Sequence, residues 1–519
     1  MPVNTPGRDY LAALPAWQRC RDCYDGSDAV KAAGAKYLPM LEAHKANQAG
    51  GLSAYEAYKQ RALFFPAFRR TVVGLGGLTC GKAPTVANVP EDALGRMHDV
   101  TGTGVSLTGF AYSISHELLT TGRVGALVDL PDAEIGAVAE PYWCLYRAED
   151  IYQVRTQRMG NEDSVQLVVL REEVEDEQDS DPFTTEYANA FRVLSLEDGR
   201  YTVTIWREDP QRKGRFVVFE TRVPMRRGQP LPFVPFAMMN PVAATSAIEQ
   251  PPLLALADVN LSHYRTSADR EHGAHFTGLP TPWISGHTVG EGDTLGIGSG
   301  SAWIFPDANA RCGMLEFTGQ GLGALEKLMD EKRLMMTTLG ARMLESQKPT
   351  AEAAETVKLR HAGESSELSV LAGAIGQGLS RLLRWSLAWA GMDDATAEAA
   401  TVTMNPDLME TMSPDAMRAL VTSWQAGAVS HQTVYAMLQR GQWTRQDVGF
   451  EEEKQAIDEE EPGEAKTEET APKRPNPFAP AGAGNGESGD GGDGAAGDEA
   501  GQAGDGGKGP MPMMGKTGG

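Results

Sequence analysis

PPLLALADVNLSHYRTSADREHGAHF, residues 251–276, and LGALEKLMDEKRLMMTTLGARMLES, residues 322–346, bracket a stretch of opposite character. In the first, Pro252 suits an opening helical turn, and Leu253, Ala257, Leu261, Tyr264, Ala268 and His275 recur at helical spacing on one face. In the second, Leu325, Met329, Met336, Leu339 and Met343 repeat the pattern, while Glu326, Lys327, Asp330, Glu331, Lys332 and Arg333 occupy mostly other faces. Between them runs FTGLPTPWISGHTVGEGDTLGIGSGSAWIFPDANARCGMLEFTGQG, where Trp283, Trp303, Ile304 and Phe305 are short apolar islands and glycines break every run. Compact domains rarely keep a loop of that length without a use for it.

Upstream, residues 1–140 read mainly helical: YLAALPAWQRCRDCYDG, DAVKAAGAKYLPML, SAYEAYKQRALFFPAFRRTVVGLGG and VSLTGFAYSISHELLTTG, with RVGALVDLP as a strand. Ser53 and Glu56 have capping-box spacing, and Pro66 implies a kink or break. Residues 141–240 change texture to short β-branched and aromatic runs separated by Gly, Asp and Pro. The acidic run from Glu172 to Asp181 reads as an exposed loop between strands. Residues 350–450 return to helix, with Leu368, Leu371, Ile375, Leu379, Leu382 and Trp389 on one face and Gly391 as terminator. A helical hairpin follows, starting at Ser413-Pro414-Asp415, with Ser430 capping its second helix and Val434, Met437 and Leu438 facing inward. The class is α+β.

The 519 residues carry a formal charge of −23. Residues 451–519 hold sixteen acidic and six basic side chains and few large apolar ones, so this acidic tail is expected to be disordered. The first 450 residues are then acidic in their own right, at −13. An acidic surface argues against adhesive, nonspecific nucleic-acid binding. Cys20, Cys23, Cys80, Cys144 and Cys312 form no framework and point to a reducing compartment. No apolar run of about eighteen residues is present, and the opening MPVNTPGRDYLAAL lacks a basic-then-apolar pattern, so neither membrane insertion nor secretion is expected.

Catalytic and metal patterns fail on chemistry. GGLTCGKAP, from Gly76, has the spacing of a phosphate-binding loop, but Ala83 stands where the magnesium-binding hydroxyl belongs and Pro84 opposes a helix start there. It reads as a structural glycine turn. His272 and His275 lack an HExxH pattern, His116-Glu117 lacks a second histidine, and Cys20-x-x-Cys23 is a single pair. Ser113 and Ser115 have no nucleophile elbow around them. Met335 and Met336 read as core or subunit packing rather than a cofactor ligand. No cofactor and no enzymatic activity are expected.

Several stretches in order carry a resemblance: RALFFPAFRRTVVGLGGLTCGKAP, the β-rich middle ending in GQPLPFVPF, ADVNLSHYRTSADREHGAHFTGLPTPWISG, the helix around Glu326–Leu344, and SPDAMRALVTSWQAGAVSHQTVYAMLQRGQW. Over about residues 10–445 the chain resembles a portal protein of tailed double-stranded-DNA bacteriophages. The resemblance implies a portal fold with a β-rich clip or wing insertion at 141–240 and an N-terminal helical part of wing and core at 1–140. It also implies a stem-like helix at 251–276, a channel loop within 277–321, a long core helix at 322–346 and a helical wing or crown at 350–450. Its site residues would be His287, Glu291, Asp293, Asp307 and Arg311 facing the channel. Leu253, Leu261, Tyr264, Arg265 and Arg270 would belong to the stem-like helix, and Leu325, Met329, Met336 and Leu339 to the core helix. The function implied is a homo-oligomeric ring, of twelve subunits in the virion, at one capsid vertex, passing double-stranded DNA without sequence specificity during packaging and ejection. The implied partners are the terminase packaging ATPase, scaffold, major capsid and head-completion or tail proteins, with assembly in the host cytoplasm and no membrane. The competing readings are another capsid or scaffold component, and an enzyme with a cleft between the β-rich and helical parts.

Overall fold

The computed structural model of the protein describes residues 2–45, 50–131, 140–159, 162–176, 183–278, 281–286, 303–305, 308–315, 319–341, 354–405, 414–440, 443–444 and 448–460. The chain divides into two units, Met1–Gln446 and Asp447–Gly519.

In the first unit, helix α1 (Arg8–Asp25) buries Tyr10, Trp17, Cys20 and Cys23, and α2 (Ser27–Ala32) buries Val30. Helices α3 (Gly51–Arg61) and α4 (Ala67–Thr79) are separated at Pro66, which has no amide to continue a helical ladder. Ser53 lies inside the first turn of α3 rather than capping it, because the helix already begins at Gly51. After β1 (Thr85–Ala87) and α5 (Glu91–Leu94) comes α6 (Leu107–Thr121), whose N-cap Ser106 accepts from the Gly109 N–H. Gly76 and Gly77, read as a turn, are helical residues of α4. A Cβ on Gly76 would stand 2.6 Å from His116 Cδ2, so the glycine is where α4 and α6 touch.

The strands form two main sheets. β2 (Val124–Asp129) and β3 (Tyr142–Arg147) belong to one, and β4 (Ile151–Met159), β5 (Glu162–Glu175), β6 (Tyr187–Glu197), β7 (Arg200–Asp209) and β8 (Arg212–Arg222) form an antiparallel meander in that order. Asp198 and Gly199 both have positive φ, 50° and 70°, the two-residue turn whose twist suits a tight hairpin, and it sets Glu197 opposite Arg200. The acidic run is not all loop: Glu172, Glu173 and Glu175 are residues of β5. The short β9 (Met225–Arg226) and β10 (Gln229–Pro230) pair with each other, and β11 (Phe236–Met239) returns to complete a three-stranded sheet, β11-β2-β3.

Then come α7 (Leu254–Gly278), β12 (Thr281–Ser285), β13 (Arg311–Leu315) and α8 (Leu322–Met336), which continues as a π-helical turn over Thr337–Ala341. Helix α9 (Ala354–Trp389) is followed by α10 (Asp394–Ala399), capped by Asp393, and by β14 (Thr401–Thr403), which pairs with β1. Helices α11 (Pro414–Gln425) and α12 (His431–Arg440) are the helical hairpin, with the Ser430 hydroxyl accepting from the Thr433 N–H. Met437, expected inside, is exposed, and Tyr435 is buried beside Val434 instead. One apolar core runs from α1, α3, α4 and α6 through β2 to α7 and α9, including Phe68, Ile114, Leu127, Tyr264, Ile375 and Leu379.

Two expectations are corrected by these elements. The glycine-rich 277–321 stretch is not loop throughout, since β12 and β13 pair antiparallel from Thr281 opposite Leu315 to Ser285 opposite Arg311. In the second unit, Phe450–Glu460 is a helix, α13, where the acidic tail was expected to be without structure. Its glutamates at 451–453 sit in the first turn, where the helix dipole favours negative charge.

Candidate functional site

Helices α7 and α8, joined through the β12–β13 ribbon, form the feature on which the sequence reading turns. They pack antiparallel. Arg270 on α7 donates to Glu326 Oε1 at 2.9 Å, and Lys332 on α8 donates to the Ser262 carbonyl at 3.1 Å. A Cβ on Gly273 would meet Leu322 at 3.0 Å, and one on Gly340 would meet Leu256 at 3.0 Å, so the pairing holds from one end of α8 to the π turn. At Gly340 a Cβ would also stand 2.7 Å from the Thr71 methyl of α4. The absent side chain lets three helices meet there.

Burial on α7 is wider than its apolar stripe. Leu253, Ala257, Leu261, Tyr264 and Ala268 are buried as the periodicity predicts, but so are Asn260, His263, Thr266 and Ser267. Asn260 explains its own burial: its side chain accepts from the Phe68 N–H at 3.2 Å and donates to the Phe65 carbonyl at 2.8 Å, bridging the break between α3 and α4. His263 has neither ring nitrogen bonded. Burial, aided by the Arg333 and Lys332 cations, pushes its pKa down to about 4. Arg265 is exposed, while Arg270 also bonds Glu271.

On α8, Met329 and Met336 are buried and Leu325 half-buried, but Leu339 is exposed. The sequence reading missed a second apolar set. Leu328 is exposed, as are Leu334 at 65% and Met335 at 53%, so of the two methionines read as core or subunit packing only Met336 is in the core of the chain. Leu339 opens onto a cleft of about 530 Å³ whose walls include Val242, Leu253, Val370 and Leu371. The number of apolar residues on α8, more than one stripe needs, was the available signal. Arg311 is exposed on β13; His287, Glu291, Asp293 and Asp307 lie outside the described residues.

The rejected chemical motifs have structural explanations. Ser113 and Ser115 donate their hydroxyls to the Gly109 and Tyr112 carbonyls of their own helix. Cys20 and Cys23 are buried against α7, and burial pushes both thiols up, Cys20 to about 12, away from reactive thiolate. His275 accepts from Arg61, and His272 stacks edge-on with Tyr58 and Phe276. Among the described residues no group of three or more His, Cys, Asp or Glu is placed to hold a metal ion, and no helix is long and apolar enough to cross a membrane. A charged cluster that sequence did not disclose joins the sheets: Arg192 donates to Asp129 at 2.6 Å and to Glu172 at 2.8 Å.

A family model described as a domain of unknown function, DUF4055, matches residues 252–390. No curated protein matches the chain. Among solved structures, a chain from the neck of an empty GTA particle computed with C6 symmetry is similar at 12% identity and a TM-score of 0.36, covering 74% of this chain and 92% of that one. A chain from the virion of a native gene transfer agent particle is 11% identical with a TM-score of 0.35, covering 76% and 94%. One from the neck of the native GTA particle computed with C12 symmetry is 11% identical with a TM-score of 0.36, covering 72% and 89%.

Proposed function

We propose that the chain is the subunit of a phage portal ring, a conduit and docking platform at one capsid vertex. The observation that carries this reading is the outward apolar set of α8 and its π turn, Leu328, Leu334, Met335 and Leu339, on a helix already packed against α7 and burying Met329 and Met336. A second copy of the chain is the partner this set suits. A heterologous contact whose rotation closes on itself repeats into a ring. The resemblance of the sequence supplies the rest: a stem-like role for α7, a wall or loop role for the segment containing His287, Glu291, Asp293, Asp307 and Arg311, and clip, wing or crown roles for 141–240 and 350–450.

In this reading DNA passes a surface that does not hold it. Each phosphate gripped by Lys or Arg would have to be released for movement, and an acidic subunit of −23 keeps such minima shallow. The energy for translocation comes from a docked packaging ATPase, and head-completion or tail proteins follow it on the same ring.

Mass photometry paired with top-view negative-stain images tests the proposal. Twelve chains of 55.7 kDa give a species of about 670 kDa with a central opening. A monodisperse monomer or compact dimer at every salt concentration would reject it.

A further inference from the structure

Arg123 is 3% exposed and has no carboxylate beside it among the described residues. The contrast within the fold is direct. Arg21 holds both Glu117 and Glu149, and Arg192 holds both Asp129 and Glu172, as buried guanidinium groups require. Arg123 has one hydrogen bond, from Nη1 to the Ile151 carbonyl at 3.2 Å, and its guanidinium carbon stands 5.6 Å from the centre of the Trp17 ring. Its Nε has no partner, and neither has the Nε1 of the fully buried Trp17. Burial without a counter-charge pushes the Arg123 pKa down to about 10.

Arg123 lines a cleft of about 770 Å³ between the start of α1, β4 and the segment before α7. Helix α1 opens on this cleft at Gly7, Arg8 and Asp9 with no side-chain cap, so the first-turn amides of Arg8, Asp9 and Tyr10 add positive potential there. Gly7 itself is fixed, donating to the Tyr152 carbonyl at 2.9 Å. The exposed rim carries one further cation, Arg8, and two acids, Asp9 and Glu249.

We propose that this cleft is a carboxylate-binding site anchored by Arg123. A planar guanidinium with an unpartnered Nε–H and the uncapped start of a helix, both lining the cleft, together match a carboxylate's two oxygens. One negative charge balances the Arg123 cation, whereas a doubly charged phosphate would be repelled by Asp9 and Glu249. The carboxylate comes from a small organic acid or from an acidic side chain of a polypeptide. The site is independent of the ring reading.

Thermal unfolding of the full chain in sodium propionate, in the blocked peptide acetyl-Gly-Glu-Gly-amide, in sodium chloride and in inorganic phosphate, at one ionic strength, tests the proposal. Propionate or the peptide is expected to raise the melting temperature saturably above chloride. In Arg123→Gln the half-saturating concentration should rise about tenfold or the effect vanish, since one charge-assisted contact pair is lost. Arg8→Ala, on the exposed first turn, keeps the fold testable and should weaken binding about threefold by removing rim charge. A tighter response to the peptide identifies a polypeptide side chain as the source, and a tighter response to propionate identifies a free acid. No saturable difference from chloride, equal saturation in Arg123→Gln, or phosphate binding as tightly as propionate would overturn the assignment.

Discussion

His263 sets a pH limit on the stability of the central helix pair. Its ring is enclosed by Phe65 of the α3–α4 connection and by the charged side of α8, where Lys332 and Arg333 oppose protonation and Asp330 favours it weakly. The folded pKa, about 4, lies below the ordinary value of 6.5, so between these the unfolded chain binds the proton and the folded chain does not. Stability therefore falls as pH drops through that window, by about 2 kcal/mol near pH 4.5. Denaturant midpoints of the wild type and His263→Gln at pH 7 and pH 4.5 check this: the variant should lose that part of the pH dependence, and an unchanged slope would assign it elsewhere. Two residues away, Leu261 is buried in the main core. Leu261→Asp places an unpaired charge there and should cost at least about 3 kcal/mol, read as a lower melting temperature; unchanged unfolding would mean its face is open to water.

Helix α8 divides its apolar residues between two tasks. Met329 and Met336 face inward, so replacing them affects the chain itself, while Leu334 and Met335 are outward and their replacement should affect only what the chain binds. Leu334→Glu combined with Met335→Glu is expected to move the melting temperature of the subunit little, within about 0.5 kcal/mol of stability, and to abolish the ring in native-mass measurements. Rings that persist would place the subunit contact on another element. Gly340→Val tests the inner side, because a side chain there meets Thr71 and Leu256 and should cost about 1–3 kcal/mol. Much of this arrangement was legible in the sequence. The inward stripes of α7 and α9 follow from spacing, because burial on a helix repeats with its turn. The β12–β13 ribbon was not legible: Thr281–Ser285 is short, glycine-flanked, and paired with residues beyond a long insertion. β11 reads as a strand, but its pairing was hidden for a related reason, since its partner β2 lies more than a hundred residues earlier and only tertiary pairing separates it from the meander. The burial of Arg123 and His263 left no signal, because a polar residue on a mixed helix or after a helix cap looks like a surface residue until its surroundings are known.

At the scale of the whole molecule, charge works against assembly and the apolar face of α8 works for it. Of the net −23, residues 447–519 carry −11, from seventeen acidic and six basic side chains, leaving −12 on the first unit. Copies brought together in a ring repel through both parts, and the repulsion weakens as salt shortens the Debye length to about 10 Å at 0.1 M. The apolar contact proposed for α8 is insensitive to that screening to first order. A chain ending at Gln446 should therefore still close rings, since every residue of the main core belongs to the first unit. It should also close them at lower salt than the full chain, because nearly half of the negative charge is gone. Mass photometry of both chains across a salt series measures this. A lower salt midpoint for the shortened chain supports opposed charge and apolar terms. Loss of rings at every salt concentration would instead give residues 447–519 a direct part in the contact between copies.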